Sequence, residues 1–425
     1  MSEQKTGLVP RLRFPEFREA GEWETKRVGE ICDILQGYGF PEALQGRSEG
    51  TYPFCKVSDI SMAVSEFGGL LSTAANYVSE EDISNLRAKL VPKYSTVFAK
   101  IGEALRLNRR AITTRECLID NNVVGLKGKP KKVGDYFLYL LSQTVDLGEY
   151  CGGAVPSVNK SILSEIPLWI TGEAEQQKVA SCLSALDALI AAHADKLDAL
   201  KTHKKGLMQQ LFPREGETVP RLRFPEFREA GEWIDATLGD VADVASGGTP
   251  NRSKSDYWDG EIPWVSTSLI DFASIERANE YITHLGLENS AAKIFPKGTV
   301  LMAMYGQGKT RGKVAILGIN AAINQACAAL SAADKVLSEF VFQNLAGRYD
   351  EIRKISNAGG QENLSGTLIK NISFKYPDIG SGEQQKIAAC LSSLDALITA
   401  QTEKLDALKT HKKGLMQQLF PSPEA

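Results

Sequence analysis

Two long stretches of the chain carry apolar residues at alternating spacings of four and three. The first stretch, residues 175–211, contains no proline, and its repeating positions form one seam along a helix. The same pattern returns in residues 383–419. The pattern predicts two continuous helices, each roughly 55 Å long. The seam residues are Leu183, Leu186, Ile190, His193, Leu197 and Leu200 in the first helix, and Leu391, Leu394, Ile398, Gln401, Leu405 and Leu408 in the second.

A regular seam that occurs twice favours two helices packed on each other, with a lone amphipathic helix on some other core as the alternative. We expect the two helices to pack antiparallel, because the seam is unbroken and the repeats are ordered as in a pseudo-two-fold body. If the helix ends align, His193 and Gln401, the central residues of the two segments, should meet near the crossing, and a buried polar pair there would help to fix the register. Lys204 and Lys412 lie further along the seam and should extend their amines to water. A Phe-Pro pair follows each helix and should end it, because proline disfavours helix in the residue before it.

The chain also repeats itself outside the seam. Residues 9–23 read VPRLRFPEFREAGEW and return unchanged at residues 219–233, and we call this segment the RFPEF motif. The helical segments 175–213 and 383–421 match at 32 of 39 positions. One frame is therefore present twice in tandem.

The frame holds two different segments. Residues 24–170, the first insert, and residues 234–376, the second insert, are largely unlike each other in sequence. Constant ends around variable centres predict a pseudo-two-fold scaffold that presents two different recognition modules.

Composition narrows the function further. The chain has 425 residues, 43% of them hydrophobic, and a net charge of −3. No apolar run approaches the ~20 residues of a membrane span, so we expect a cytoplasmic protein. Seven scattered cysteines without CxxC spacing and only four histidines argue against a metal site, a disulfide framework or histidine-based catalysis. The weak negative charge counts against a self-sufficient DNA binder, unless acidic segments offset a basic face or partners supply phosphate contacts.

The repeated segments resemble the specificity subunit of type I restriction–modification enzymes over essentially the whole chain. The most specific parts are PRLRFPEF before each insert and EQQK…LDALI…KLDALKTHKKGLMQQLFP after it. Within the inserts, GTP at 248–250, GEIPWV at 260–265 and AINQAC at 322–327 are similar to that family, as are GYGFP at 37–41 and GTYPF at 50–54.

The resemblance implies a mixed α/β (α+β) fold in which two target recognition domains are separated by two long antiparallel coiled-coil helices. Each insert would read one half of a split, asymmetric target in double-stranded DNA. Two methyltransferase (modification) subunits would dock on the helices, and two restriction subunits would join the full complex. Adenine-N6 methylation with S-adenosylmethionine, and cleavage with ATP and Mg²⁺, would belong to those partners, with no cofactor, metal or catalytic residue in this chain. The implied domains are residues 1–174, 175–213, 214–382 and 383–425.

Candidate DNA contacts in the second insert lie on a predicted hairpin, residues 299–317. Its glycine-rich tip carries Tyr305, Gln307, Lys309 and Arg311. Glutamine can pair with adenine, arginine with guanine, and lysine with phosphate. The alternative is a solvated turn. A phosphate-binding loop in AMYGQGKT at 303–310 is disfavoured, because such a loop opens a helix and the residues that follow predict a strand.

The first insert offers a comparable set. A basic turn at Arg109 and Arg110, between predicted strands, would present arginines to DNA, with a charged solvent face as the alternative. Near the end of the insert, the glycine pair at 152–153 comes shortly before Asn159 and Lys160, and glycine lets a backbone approach DNA closely, with a simple turn as the alternative. In both inserts together, the further candidate DNA-contacting residues are Lys100, Arg106, Asn108, Arg109, Arg110, Asn159, Lys160, Ser266, Ser268 and Asn363.

Two other functions remain as alternatives for the chain. One is a scaffold whose inserts bind protein, and the other is a stand-alone nucleotide-binding enzyme.

Overall fold

The structure is a computed structural model, and it describes residues 8–152, 155–306, 309–355 and 363–421. The chain divides into two compact units. Unit 1 consists of Met1–Asp195 and Glu403–Ala425, and unit 2 consists of Lys196–Thr402. Each unit therefore takes its RFPEF motif and insert from one repeat, and helical segments from both repeats.

The first insert and the helix after it contain ten strands and seven helices among the described residues. The strands are β1 (Glu24–Arg27), β2 (Cys32–Gln36), β3 (Tyr52–Cys55), β4 (Leu70–Leu71), β5 (Tyr77–Val78), β6 (Thr96–Ala99), β7 (Ala111–Thr113), β8 (Leu118–Ile119), β9 (Val123–Gly128) and β10 (Pro167–Ile170). The helices are α1 (Val28–Ile31), α2 (Val57–Glu66), α3 (Glu80–Leu86), α4 (Glu103–Arg106), α5 (Asp135–Ser142), α6 (Lys160–Glu165) and α7 (Glu173–Leu211).

The second insert and its helix contain eleven strands and six helices in the described part of the chain. The strands are β11 (Ile234–Thr237), β12 (Ala242–Ser246), β13 (Trp258–Val265), β14 (Ser274–Ile275), β15 (Glu280–Ile282), β16 (Ile294–Phe295), β17 (Val300–Ala303), β18 (Val314–Leu317), β19 (Ala321–Ile323), β20 (Cys327–Ala332) and β21 (Ser373–Tyr376). The helices are α8 (Leu238–Val241), α9 (His284–Glu288), α10 (Ser338–Gly347), α11 (Tyr349–Ile352), α12 (Gly366–Lys370) and α13 (Glu383–Leu419).

Both inserts share one sheet topology despite their unlike sequences. A five-stranded sheet has the order β2-β9-β6-β7-β4 in the first insert and β12-β20-β17-β18-β14 in the second. A smaller sheet has the order β5-β3-β8 in the first and β15-β13-β19-β16 in the second, where β16 is the additional strand. The entering and leaving strands close each insert as an antiparallel pair, β1 with β10 and β11 with β21. The expected mixed α/β class is confirmed.

The two long helices confirm the predicted seam. Helix α7 begins two residues earlier than predicted, at Glu173, and α13 has the predicted bounds. All seam positions are buried or half-buried along both helices. In unit 1 Asp187 contacts Lys412, and in unit 2 Lys204 contacts Asp395. Both units place the later part of one helix against the earlier part of the other, as antiparallel packing requires, while the contact expected between His193 and Gln401 stays a prediction.

The prediction that the two seam lysines reach water is wrong. Lys204 is 9% exposed, and its amine lies 2.5 Å from the Asp395 carboxylate. Lys412 makes the equivalent contact with Asp187, at 2.6 Å. Each lysine finds a carboxylate on the opposite helix, which a seam read on one helix cannot reveal.

Aromatic residues join each RFPEF motif to a helix end. In unit 1 the tryptophan of the motif, Trp23, packs edge-on against Phe420, with 5.9 Å between ring centroids. In unit 2 Trp233 packs edge-on against Phe212 at 6.4 Å. The Phe-Pro pair that ends each helix thus also anchors the motif, and both tryptophans are buried.

Candidate nucleic-acid interface

A buried ion pair fixes the RFPEF motif on the start of a long helix in each unit. The Arg13 guanidinium donates two hydrogen bonds of 2.7 Å to the Glu175 carboxylate. Arg223 donates two to Glu383, at 2.7 and 2.6 Å. Burial works to raise the pKa of Glu175, but hydrogen bonds from Arg13 and Thr171 and the positive charge of Arg13 leave that pKa lowered. The identical sequences therefore build identical supports for two different inserts.

A glutamine next to each glutamate holds the insert itself. The Gln176 side chain accepts a hydrogen bond from the Gly134 amide and donates to the carbonyls of Lys132 and Thr171. Gln384 accepts from the Leu337 amide in the same manner and donates to the carbonyls of Lys335 and Pro377. Because these contacts are made to backbone atoms, they tolerate a change of insert sequence.

A tight turn follows the parallel strand pair of the first insert. Strands β3 and β8 run parallel, and the chain then forms a turn at residues 120–123. The Asp120 amide donates to the Cys55 carbonyl, the Val123 amide donates to the Asp120 carbonyl, and the Asn122 amide donates to the Asp120 side chain at 2.8 Å. Aspartate at the first position of a turn commonly holds the backbone two residues on.

The second insert contains the same turn at residues 324–327, after the parallel strands β13 and β19. The Asn324 amide donates to the Val265 carbonyl, the Cys327 amide to the Asn324 carbonyl, and the Ala326 amide to the Asn324 side chain at 3.1 Å. We call residues 120–123 and 324–327 the strand-end turns. Two unlike sequences thus reach one local geometry.

A glycine lies against the base of each strand-end turn. A Cβ atom at Gly37 would stand 1.8 Å from the Asp120 carbonyl oxygen, and one at Gly247 would stand 1.9 Å from the Ile323 carbonyl oxygen. Real Cβ atoms do not approach backbone oxygen that closely, so glycine is required at both positions. The family-like segment GYGFP at 37–41 begins with Gly37, and GTP at 248–250 directly follows Gly247, so the glycines give these segments a steric role.

One predicted residue of the first insert, Lys100, contacts its strand-end turn, and two others follow the segment that pairs with Lys100. The Lys100 amide donates to the Asn122 carbonyl, and the Lys100 carbonyl accepts from Val158. Asn159 and Lys160 follow directly and are exposed, and the Asn159 side chain caps α6 by accepting from the Ile162 amide.

The corresponding residues of the second insert occupy the same place. The Met304 amide donates to the Ala326 carbonyl, and the Met304 carbonyl accepts from Leu364. The predicted residues Tyr305 and Asn363 adjoin these two positions, and Tyr305 is 42% exposed. Ser266 directly follows β13, and its hydroxyl lies 2.7 Å from that of Ser268.

The arginine-rich segment of the first insert has another role. The predicted basic turn contains the helix α4, and Arg110 is 4% exposed, with its guanidinium 4.5 Å from the Phe98 ring centroid. It donates to the Asn108 side chain and to the Val145 carbonyl, and burial lowers the pKa of Arg110 to about 10. Asn108 and Arg110 therefore hold the interior together. Arg106 is exposed near Glu103, and Arg109 is half-buried.

The predicted hairpin of the second insert is confirmed as the antiparallel pair β17 and β18. Lys309 is exposed, but Arg311 is 7% exposed and donates to the Arg353 carbonyl at 2.6 Å, so its side chain does not face outward as expected. Gln307 lies outside the described residues. After residue 309 the chain turns directly into β18, without the helix that a phosphate-binding loop needs.

An aromatic and cationic cluster of the second insert was missed by the sequence reasoning. The Arg252 guanidinium lies 3.9 Å from the Trp258 ring centroid and 5.0 Å from that of Trp264, and it pairs with the Glu280 carboxylate. The Trp264 indole donates to the Gly248 carbonyl, and the Thr249 hydroxyl donates to the Gln325 side chain. The cluster fixes the segment before β13 next to the strand-end turn.

Two further features hold for residues 8–152, 155–306, 309–355 and 363–421. No group of three histidine, cysteine or carboxylate residues there could hold a metal ion. Within that same part of the chain, no helix is long and apolar enough to cross a membrane. The repeated helical frame carries two modules of similar topology, and each module has the same strand-end turn at its surface. These features define a recognition protein with two modules.

The family model for the type I restriction modification DNA specificity domain matches residues 20–202 and 230–410, and the chain therefore belongs to that family. Three relatives are specificity subunits of type I restriction enzymes. MjaIX of Methanocaldococcus jannaschii is 29% identical over 44% of each chain, and EcoR124I/EcoR124II of Escherichia coli is 26% identical over 54% of each. MjaVIII of M. jannaschii is 22% identical over 96% of this chain and 93% of the relative. The chain thus spans about half the length of the first two.

Solved structures agree on the fold. The S subunit of a type I restriction–modification system from M. genitalium superposes with a TM-score of 0.62 at 15% identity, over 98% of this chain and all of that one. A chain from a study of complex assembly and conformational transition in the type I system gives 0.56 at 17% identity, over 94% and 98%. The resemblance stated from the repeated motifs is confirmed.

Proposed function

We propose that this chain recognises a split, asymmetric DNA target, with one half of the target read by each insert. The observation that carries the proposal is the shared sheet topology of two inserts with unlike sequences, each on an identical support of arginine, glutamate and glutamine. A constant support holds a variable surface in one fixed orientation. Unlike surfaces of like architecture suit two different half-sites.

In this proposal the chemistry belongs to partner chains, and this chain is not an enzyme on its own. It would position two adenine-N6 methyltransferase subunits, which use S-adenosylmethionine, and two restriction subunits, which use ATP and Mg²⁺, in the cytoplasm. Support comes from Leu189 and Leu397, equivalent positions of the helix repeat that are 44% and 55% exposed. A single exposed leucine is ordinary on a protein surface, but an exposed leucine at the same position of both helix copies suits a partner that docks twice in the same manner. Residues 1–174 and 214–382 would serve as recognition domains, and residues 175–213 and 383–425 as the helical spacer.

Methylated-adenine mapping tests this function. The full chain is produced with its methyltransferase partner in a host that lacks other adenine methylation, and the genome is sequenced with a method that detects N6-methyladenine. The expected result is one two-part motif with unlike halves and a fixed gap, which disappears when this chain is omitted. If methylation were unaffected by omission, an assembly scaffold whose inserts bind protein would replace the proposal.

A further inference from the structure

Both strand-end turns present an exposed amide side chain at their second position. Asn122, the third residue of the first turn, is exposed as well, but its counterpart in the second insert is Ala326, so only the second position carries an amide in both turns. Asn121 is the second residue of the turn in the first insert, and Gln325 is the second residue in the second insert. Both are exposed. The inserts differ through most of their sequences, yet both place a carboxamide, a group with a donor and an acceptor, at this point of the fold.

The backbone under these side chains is fixed from several directions. Three hydrogen bonds hold each turn. A fourth is accepted by the carbonyl of its third residue, from the Lys100 amide just after β6 in the first insert and from the Met304 amide just after β17 in the second. The glycines Gly37 and Gly247 pack against the turn so closely that no Cβ fits. Because the backbone under the side chain is already fixed, little conformational entropy of the backbone is lost when the side chain binds, and this favours specific recognition.

The polar side chain at the first position of each turn is committed to the turn itself. Asp120 and Asn324 accept the internal hydrogen bonds of the turns, so they stabilise the backbone. In the second insert Thr249 donates to the Gln325 oxygen, which orients the amide and leaves its nitrogen to donate outward. Cationic or hydroxyl groups lie beside each turn, Lys100 in the first insert and Tyr305 in the second, as backbone-phosphate contacts require.

We propose that Asn121 and Gln325 are equivalent specificity-determining residues, each of which hydrogen-bonds a base edge of double-stranded DNA through its carboxamide. An asparagine or glutamine amide matches the N6 and N7 atoms of adenine in the major groove, whereas phosphate binding favours cations. The proposal rests on the proposed function, because it assigns the base contact within each insert. Asn121 serves the half-site of the first insert and Gln325 serves the half-site of the second.

The test uses the full chain with its methyltransferase partner, and the readout is the map of methylated adenines. In Asn121→Ala, discrimination at one position of one half-site should fall by about 5- to 150-fold, while the other half-site stays unchanged. Gln325→Ala should relax one position of the opposite half-site. Asn85→Ala and Asn320→Ala remove exposed amides elsewhere in the same two inserts and should leave the motif as it is.

Thermal unfolding of each variant separates recognition from folding. If an alanine variant unfolds early, Asn121→Asp and Gln325→Glu carry the test, because they keep the side-chain size and exchange the amide donor for a charge. The inference is overturned if the unmodified chain directs a two-part motif and these variants keep it at every position, or if one substitution alters both halves. An unmodified chain that directs no two-part motif would instead refute the proposed function.

Discussion

At the scale of single residues, burial separates the arginines that support the fold from those that remain exposed. The side chains of Arg13 and Arg223 are 6% and 9% exposed and Arg110 is buried, whereas the Arg106 side chain is 59% exposed. Charge alone therefore does not identify DNA contacts in this chain. The buried pairs between Arg13 and Glu175 and between Arg223 and Glu383 explain why the RFPEF motif and the EQQ segment occur together in both repeats.

The ion pair of Glu175 gives a prediction about stability and pH. Glu175→Gln should destabilise the chain by about 3–5 kcal/mol at pH 7, because it leaves the Arg13 charge buried without its partner. The pKa of Glu175 is lowered in the folded chain, so the pair stabilises the fold above the unfolded pKa of about 4.3 and loses its effect as pH falls through the lower, folded value. Denaturant unfolding between pH 3 and pH 7 measures this.

A matched control lies two residues away on the same helix. Glu173 is exposed, so Glu173→Gln should leave stability within about 0.5 kcal/mol of the unmodified chain. The difference between Glu175→Gln and the unmodified chain should shrink as the pH approaches 3. A constant difference at every pH, or none at pH 7, would show that the pair does not support the fold.

The sequence allowed a position in the fold to be predicted for a side chain only where the pattern that carries the prediction is local. It proposed Lys100, Asn159, Tyr305 and Asn363 as DNA contacts, and that role stays a prediction for all four. It did not single out Asn121 or Gln325. The strand-end turns depend on the pairing of β3 with β8 and of β13 with β19, strands that lie far apart in the chain. Buried and exposed arginines also look alike in sequence, so the interior position of Arg110 and Arg311 required the structure.

At the scale of elements, the long helices were the most predictable part of the fold. A heptad seam is a local, repeated signal, and it gave both helices to within two residues. The role of the seam lysines was not predictable, because their partners lie on the other helix. Asp187 also accepts from the Tyr136 hydroxyl, and Asp395 from the Gln343 amide, so each lysine contact joins both helices to an insert.

The lysine contact can be measured with a double-mutant cycle. Lys204→Met should cost about 1–3 kcal/mol, because Asp395 keeps the Gln343 hydrogen bond but loses its countercharge. Asp395→Leu in the same chain should restore part of the loss, since an apolar pair can replace a buried ion pair. Denaturant unfolding of the single and double variants gives the coupling energy. Lys205→Met, at an exposed neighbour, should be neutral, and a coupling energy near zero between Lys204 and Asp395 would refute the contact.

At the scale of the whole molecule, the tandem repeat can be detected in the sequence, but the structural similarity of the two inserts cannot. The two inserts are largely unlike in sequence, yet their five-stranded sheets have the same strand order and their smaller sheets differ only by β16. Both inserts also close with an antiparallel pair of their first and last strands. Their supports contact backbone atoms, at Gly134 in the first insert and Leu337 in the second. Each insert should therefore be exchangeable as a unit between the two positions of the frame.

Exchange of a whole insert tests the central claim most directly. Residues 24–170 are replaced by a second copy of residues 234–376, which carries its own closing strands, and the chain is produced with its methyltransferase partner. Mapped methylated adenines should then show a symmetric motif, in which the half-site of the second insert occurs twice in opposite orientation across the gap. An unchanged asymmetric motif in a folded variant, or a change in the half-site of the retained second insert, would contradict independent recognition by the two inserts.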